Sequence, residues 1–201
     1  MKRRIAEISV CISLIVSMIF SVIDFNDSCE KVRSDVLRLH ILANSDSEKD
    51  QTVKLAVRDA LLKCGKDLFS GNTNLKSAES TFEKEKSELI EVANSVLESR
   101  GIKYKTQIYL TEEYFTTRTY GEYTLPAGKY SAIKVILGNG NGHNWWCVMF
   151  PPLCLPAATE EKEVDLYLDK KTSALIESNP DYEIRFKIIE IIEKIKNKYI
   201  N

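Results

Sequence analysis

The stretch 130–150, YSAIKVILGNGNGHNWWCVMF, decides how the rest of the chain is read. Its ends, Tyr130–Leu137 and Asn144–Phe150, are rich in β-branched and aromatic residues and change character along the chain as strands do. Between them Gly138, Gly140 and Gly142 alternate with other residues, and Asn-Gly steps supply the positive φ angles that a tight connection demands. We therefore expect a hairpin here and an antiparallel sheet around it. The same spacing argues against a nucleotide site. A dinucleotide loop needs G-x-G-x-x-G between a strand and a helix, so that pyrophosphate meets the helix amides. Here the glycines are spaced G-x-G-x-G and a second strand follows. A kinase-type phosphate hairpin would be accompanied by H-R-D and D-F-G patterns, and neither occurs.

Upstream, IKYKTQIYL (102–110) alternates and YFTTRTY (114–120) is β-branched and aromatic, so both read as strands. VLRLHILAN (36–44) sets Val36, Arg38, His40 and Leu42 against Leu37, Leu39 and Ile41, a strand with one wholly apolar face. His40 is expected on a half-exposed face and His143 in a loop. Three helices complete the set. The first has Ser47 as cap, Glu48 and Asp50 in its first turn, and Val53, Val57, Ala60, Leu61, Cys64 and Leu68 at helical spacing; Gly71-Asn72 ends it. The second runs from Leu75 to about Arg100, with Leu75, Ala78, Phe82, Leu89, Val92, Val96 and Leu97 on one side and Gly101 as its stop. The third follows Asn179-Pro180-Asp181, with proline at the first helical position, and places Ile184, Ile188, Ile191, Ile192, Ile195 and Tyr199 on one face. The expected fold is α+β: one domain with an antiparallel sheet of about three to five strands, packed by three main helices.

The N-terminus sets the compartment. Lys2, Arg3 and Arg4 precede the apolar run Ile8–Ile23, and Asp24 begins a polar flank. Basic residues stay cytoplasmic while the apolar run enters the membrane, so the remainder is exported. At 16 residues the run lies between a signal-peptide core and a full span of about 20. Residues 1–23 are therefore a cleaved signal or a retained anchor, residues 24–34 a polar spacer, and 35–201 the exported domain. With 44% apolar residues in a chain of 201, one substantial core is affordable. Without residues 1–23 the chain keeps 25 basic and 28 acidic residues, a net charge of −3, which argues against nucleic acid as a partner.

Catalytic signals are missing. His40 and His143 have no metal-ligand spacing, C-x-x-C and G-x-S-x-G are absent, and pairs such as Glu112/Glu113 and Glu160/Glu161 read as solvated charges. No cofactor, metal or small-molecule substrate is expected. The cluster NWWCVMFPPLC (144–154) remains. Alternation puts Trp146, Val148 and Phe150 on one face and Trp145, Cys147 and Met149 on the other, so the strand is covered on both sides or one side meets a partner. Rigid aromatics beside a glycine loop suit docking. Cys147 and Cys154 could be joined as a disulfide across Pro151 and Pro152, or could serve as thiols, in which case a membrane-anchored envelope hydrolase is the competing class. An envelope-binding module is a third.

Three blocks carry a resemblance: LRLHILANSDSEKDQTVKLAVRDALL (37–62), LPAGKYSAIKVILGNGNGHNWWCVMFPPLCL (125–155) and YEIRFKIIEII (182–192). They resemble the stage II sporulation protein R family of endospore-forming Firmicutes. That resemblance implies a signal made in the forespore and exported into the septal intermembrane space. There it would activate the membrane-embedded aspartic protease SpoIIGA of the mother cell, which cleaves the sigma-E precursor. Catalysis would then belong to the partner and not to this chain. From residue chemistry the expected contacts are Asn144, Trp145, Trp146, Phe150, Pro151 and Pro152, with Asn44 and Asp46 as secondary candidates.

Overall fold

A computed structural model describes residues 2–151, 168–177 and 180–199. In chain order the elements are α1 (Lys2–Asp35), β1 (Leu37–Leu42), α2 (Glu48–Phe69), α3 (Leu75–Ser99), β2 (Thr106–Phe115), β3 (Arg118–Tyr120), β4 (Tyr123–Leu125), β5 (Gly128–Leu137), β6 (Asn144–Phe150), α4 (Lys170–Ile176) and α5 (Pro180–Tyr199). The α+β class is as expected, and local signals place the helix ends well. Ser47 caps α2 by accepting from the Asp50 amide at 3.2 Å. Asn74, with Ser77, forms a capping box at the start of α3. Gly101 takes φ +66 just beyond the end of α3.

The sheet differs from the expectation. Its order is β2-β5-β1-β6, so β5 and β6 are not neighbours and the glycine run does not close a hairpin. β1 lies between them, parallel to β5 (Leu39 opposite Ile133) and antiparallel to β6 (Leu39 opposite Cys147). The sheet is therefore mixed. The physical reason lies in the connection. Two strand spacings are about 10 Å, and six residues, 138–143, reach across them where a two-residue turn would not. The loop amides bind the outgoing end of β1: Gly142 N–H donates to Ala43 O at 2.9 Å and Asn141 N–H to Asn44 O at 3.2 Å. A Cβ on Gly142 would lie 2.2 Å from the Ser45 carbonyl oxygen, so only glycine passes so close to that strand end. A two-stranded sheet, β3-β4, stands apart from the main one.

Both faces of the sheet are covered. On one, Leu37, Leu39 and Ile41 of β1, Ile133, Val135 and Leu137 of β5, and Cys147 and Met149 of β6 pack on Val53, Val57 and Leu61 of α2 and Phe82, Leu89 and Ala93 of α3. On the other, Phe115, Tyr130, Ala132 and Val148 meet Phe25, Cys29 and Val32 of α1, Leu175 and Ile176 of α4, and Phe186 and Ile189 of α5. β1 is thus buried on both sides, and His40, expected half-exposed, is only 5% exposed.

Residues 24–34, expected as a spacer, are helical and continue α1 without a break. Phe25, Cys29 and Val32 recur at helical spacing and are all buried. Averaged composition made this stretch look polar because its few apolar residues share one face. The exposed part of α1 before it is long and apolar enough to cross a membrane. α5 turns Phe186, Ile189, Glu190 and Glu193 inward, while the stripe Ile184, Ile188, Ile191 and Ile195 is exposed. Asn179 lies outside the described residues.

Candidate functional site

Trp145 and Trp146 are adjacent in sequence and half-buried on opposite faces of β6, because consecutive side chains of a strand alternate. Trp145 turns toward α2, where the Arg58 guanidinium carbon sits 4.4 Å from its ring centroid. Its indole nitrogen is buried without a hydrogen-bond partner.

Trp146 belongs to a polar cluster on the opposite face. It stacks on His40 with centroids 3.7 Å apart and planes 11° from parallel, and meets Phe115 edge-on at 4.9 Å. His40 Nδ1 lies 2.6 Å from Glu113 Oε2, and its Nε2 lies 2.8 Å from Asn144 Oδ1. Lys134 Nζ donates to the other Glu113 oxygen at 2.5 Å. Burial pushes the Glu113 carboxyl up, but the hydrogen bonds from Lys134 and His40 outweigh it and hold the group below its ordinary range. Four strands therefore converge on this cluster: His40 from β1, Glu113 from β2, Lys134 from β5, and Asn144 with Trp146 from β6. Arg118 of β3, exposed, carries its guanidinium carbon 5.7 Å from the Trp146 ring centroid.

Beneath the cluster lies Arg38, fully buried. Its guanidinium carbon is 4.3, 4.8 and 5.3 Å from the rings of Phe115, Tyr130 and Tyr120. Nε donates to Cys147 O at 3.2 Å and Nη2 to the Tyr120 hydroxyl at 2.7 Å, while Nη1 has no partner. Burial lowers its pKa from the ordinary arginine value. Among the described residues no carboxylate forms an ion pair with it.

Asn44 and Asp46 bind the glycine loop. Asn44 Oδ1 accepts from the Asn139 amide at 3.0 Å, and its Nδ2 donates to Asp50 Oδ2 at 2.8 Å. Asp46 Oδ1 accepts from the His143 amide at 2.6 Å and also meets that ring's Nδ1. The backbone hydrogen bond from His143, then the one from its ring, hold the Asp46 carboxyl below its usual range. Phe150 and Pro151 are buried, and Asn144 is exposed. Pro152 and Cys154 lie outside the described residues. Cys147 is disulfide-bonded, whereas Cys11, Cys29 and Cys64 are free.

What sequence reading missed at this site is His40's company. Glu113 looked like one half of a solvated pair, and nothing in the sequence singled out Lys134 or Arg118. Only strand order brings them together. Among the described residues no group of three or more His, Cys, Asp or Glu side chains is arranged to hold a metal ion. Cys147 faces the helices of α2 and α3 while His40 faces the other side of the sheet, so the two are not placed as nucleophile and base.

A family model described as stage II sporulation protein R matches residues 33–160. The chain is also similar to stage II sporulation protein R of Bacillus subtilis (strain 168), at 36% identity over 142 residues, or 71% of this chain. The match spans 63% of that relative's length. No solved structure matches. With the family model covering more than half of the chain, including β1, β5, β6 and the glycine loop between them, the chain belongs to the stage II sporulation protein R family.

Proposed function

We propose that this protein is an exported signal of sporulation that activates the membrane-embedded aspartic protease SpoIIGA to process the sigma-E precursor, acting by binding and not by catalysis. Family membership is the observation that carries the reading. The apolar exposed length of α1 supports export into the septal intermembrane space, and the absence of catalytic motifs from the sequence supports leaving catalysis to the partner. The contact surface is the rim formed by Asn144, Trp146 and Arg118, with Trp145 on the other side of the same edge strand. Trp146 is held rigid by His40, so little side-chain entropy is lost when a partner covers it. Activation requires only that the signal bind the active state of the protease more tightly than the inactive one, and about 1.4 kcal/mol of preference shifts that balance tenfold.

The test is co-expression of the protease and its precursor substrate with the wild type, Arg118→Glu or Trp146→Ala. Arg118 is exposed, so its variant should melt as the wild type does while precursor processing falls. Normal processing by both folded variants would reject this surface. Processing by no form of the protein, wild type included, would reject the function.

A further inference from the structure

The isoleucine stripe of α5 lies apart from the tryptophan-bearing rim of β6. Ile184, Ile188, Ile191 and Ile195 are between 39% and 75% exposed and follow one another at steps of four, three and four, so they form one ridge. The opposite face of α5 is the one that packs, through Phe186 and Ile189. Among the described residues nothing requires the outer ridge to be apolar.

Its surroundings indicate what covers it. Phe186 lies against Phe25 of α1, with ring centroids 5.4 Å apart. Ser21, Val22 and Phe25 line a cleft together with Arg185, Ile188 and Ile189, and Arg33 further along α1 reaches Glu193 at 3.9 Å. The first turns of α5 thus sit level with the end of the apolar run of α1, and its later turns lie progressively beyond it. Like the ridge, Ile12, Ile15, Ile19 and Ile23 of the apolar run of α1 are exposed. Over its whole length α5 carries five basic and four acidic residues, slightly basic in a domain that is net acidic. The acids Glu190 and Glu193 face inward and bind Lys194, Lys187 and Lys196 from the flanks. Of the acids beside the cleft, Asp24 lies 3.8 Å from Lys171 and Asp27 is exposed.

We propose that α5 is a membrane-contacting helix: Ile184 and Ile188 enter the acyl boundary of the bilayer from which α1 emerges, and exposed Lys187 between them meets anionic headgroups. An apolar ridge flanked by lysines is the composition of helices that bind such surfaces, and long basic side chains reach the headgroups while their stems stay apolar. The helix rises about 16 Å from Ile184 to Ile195, so contact with lipid is graded along the ridge.

Photo-crosslinking of the full chain tests this. A benzoylphenylalanine is placed in turn at Ile184, Ile188, Ile191, Ile195 and, as a control, at exposed Lys84 of α3, and the protein is reconstituted in phosphatidylglycerol/phosphatidylcholine vesicles. Lipid adducts should be strongest at Ile184 and Ile188, weaker at Ile195 and near background at Lys84. Replacing the anionic lipid with phosphatidylcholine should lower the yield about fivefold, the loss expected from one lysine contact. Adducts of doubled mass would assign the ridge to a second copy, and lipid yields equal to that at Lys84 would remove the membrane contact; either overturns the proposal. The same labels in cells settle the third occupant, since capture of a different protein in place of lipid also overturns it. Melting temperatures of the labelled chains check that each is folded. The outcome does not depend on protease activation.

Discussion

Arg38 and Asp50 show how single residues divide between cost and support. A guanidinium sealed among three aromatic rings, with one nitrogen unpartnered, keeps much of its desolvation penalty even after cation–π contacts offset part of it. Replacement by an apolar side chain of similar volume, Arg38→Met, should leave stability unchanged or raise it. Arg38→Ala leaves a cavity and should cost about 3 kcal/mol. Urea midpoints of the two variants check this, and a Met variant as unstable as the Ala variant would show that the charge itself holds the fold. Asp50 behaves in the opposite way. Its carboxylate accepts from Ser45 at 2.6 Å, Asn44 at 2.8 Å and Tyr104 at 2.8 Å. Burial alone would raise its pKa, but these bonds together outweigh burial and depress it. A depressed carboxyl contributes stability that is present above its unfolded value, about 4, and is lost as pH falls through the folded value. The stability gap between wild type and Asp50→Asn should therefore be full at pH 7 and close as the solution is acidified below that value, read from urea unfolding at each pH. None of Arg38's cage was visible in the sequence, because Phe115, Tyr120 and Tyr130 come from separate strands.

Among the elements, the loop 138–143 is the most constrained. Gly142→Ala would press its new methyl against the Ser45 carbonyl and should destabilise by about 1–3 kcal/mol. Gly71→Ala meets nothing within 4 Å and should be neutral or slightly stabilising. Thermal melts of the pair separate a steric requirement from a general intolerance of glycine replacement. Of the two Asn-Gly steps read as positive-φ positions, Asn139-Gly140 takes φ +65 at its glycine and Asn141-Gly142 does not turn positive, while Gly138, which follows Leu137, takes φ +58. Their legibility ended there. The same local conformations serve a two-strand hairpin and a crossover that admits a third strand, and loop length was the cue that distinguished them. For β6, the sequence showed two apolar faces, and the structure covers both. Trp145 and Trp146 consequently pack against different layers and do not form a single anchor.

At the scale of the whole molecule, α1 joins the apolar N-terminal run and the domain in one 34-residue helix. If its last turns are part of the core, a fragment beginning at residue 36 loses the burial of Phe25, Cys29 and Val32, while one beginning at residue 24 keeps it. At about 1.5–3 kcal/mol for each large apolar side chain, the shorter fragment should be several kcal/mol less stable. Equal melting temperatures would return residues 24–34 to the role of a spacer. The sequence by itself determined what could be decided locally: the spans of α2 and α3, the Ser47 cap of the first and the Gly101 stop of the second, the strand character of β1, β2, β5 and β6, the apolar N-terminal run, and the blocks that carry the family resemblance. These depend on backbone propensity, capping hydrogen bonds and periodicity within a few turns of chain. Only the tertiary structure decided that β1 separates β5 from β6, that His40, Glu113, Lys134 and Trp146 meet, and that α5 buries Phe186 and Ile189 while its isoleucines remain outside. Periodicity assigns side chains to faces, but which face is covered depends on contacts between residues far apart in sequence.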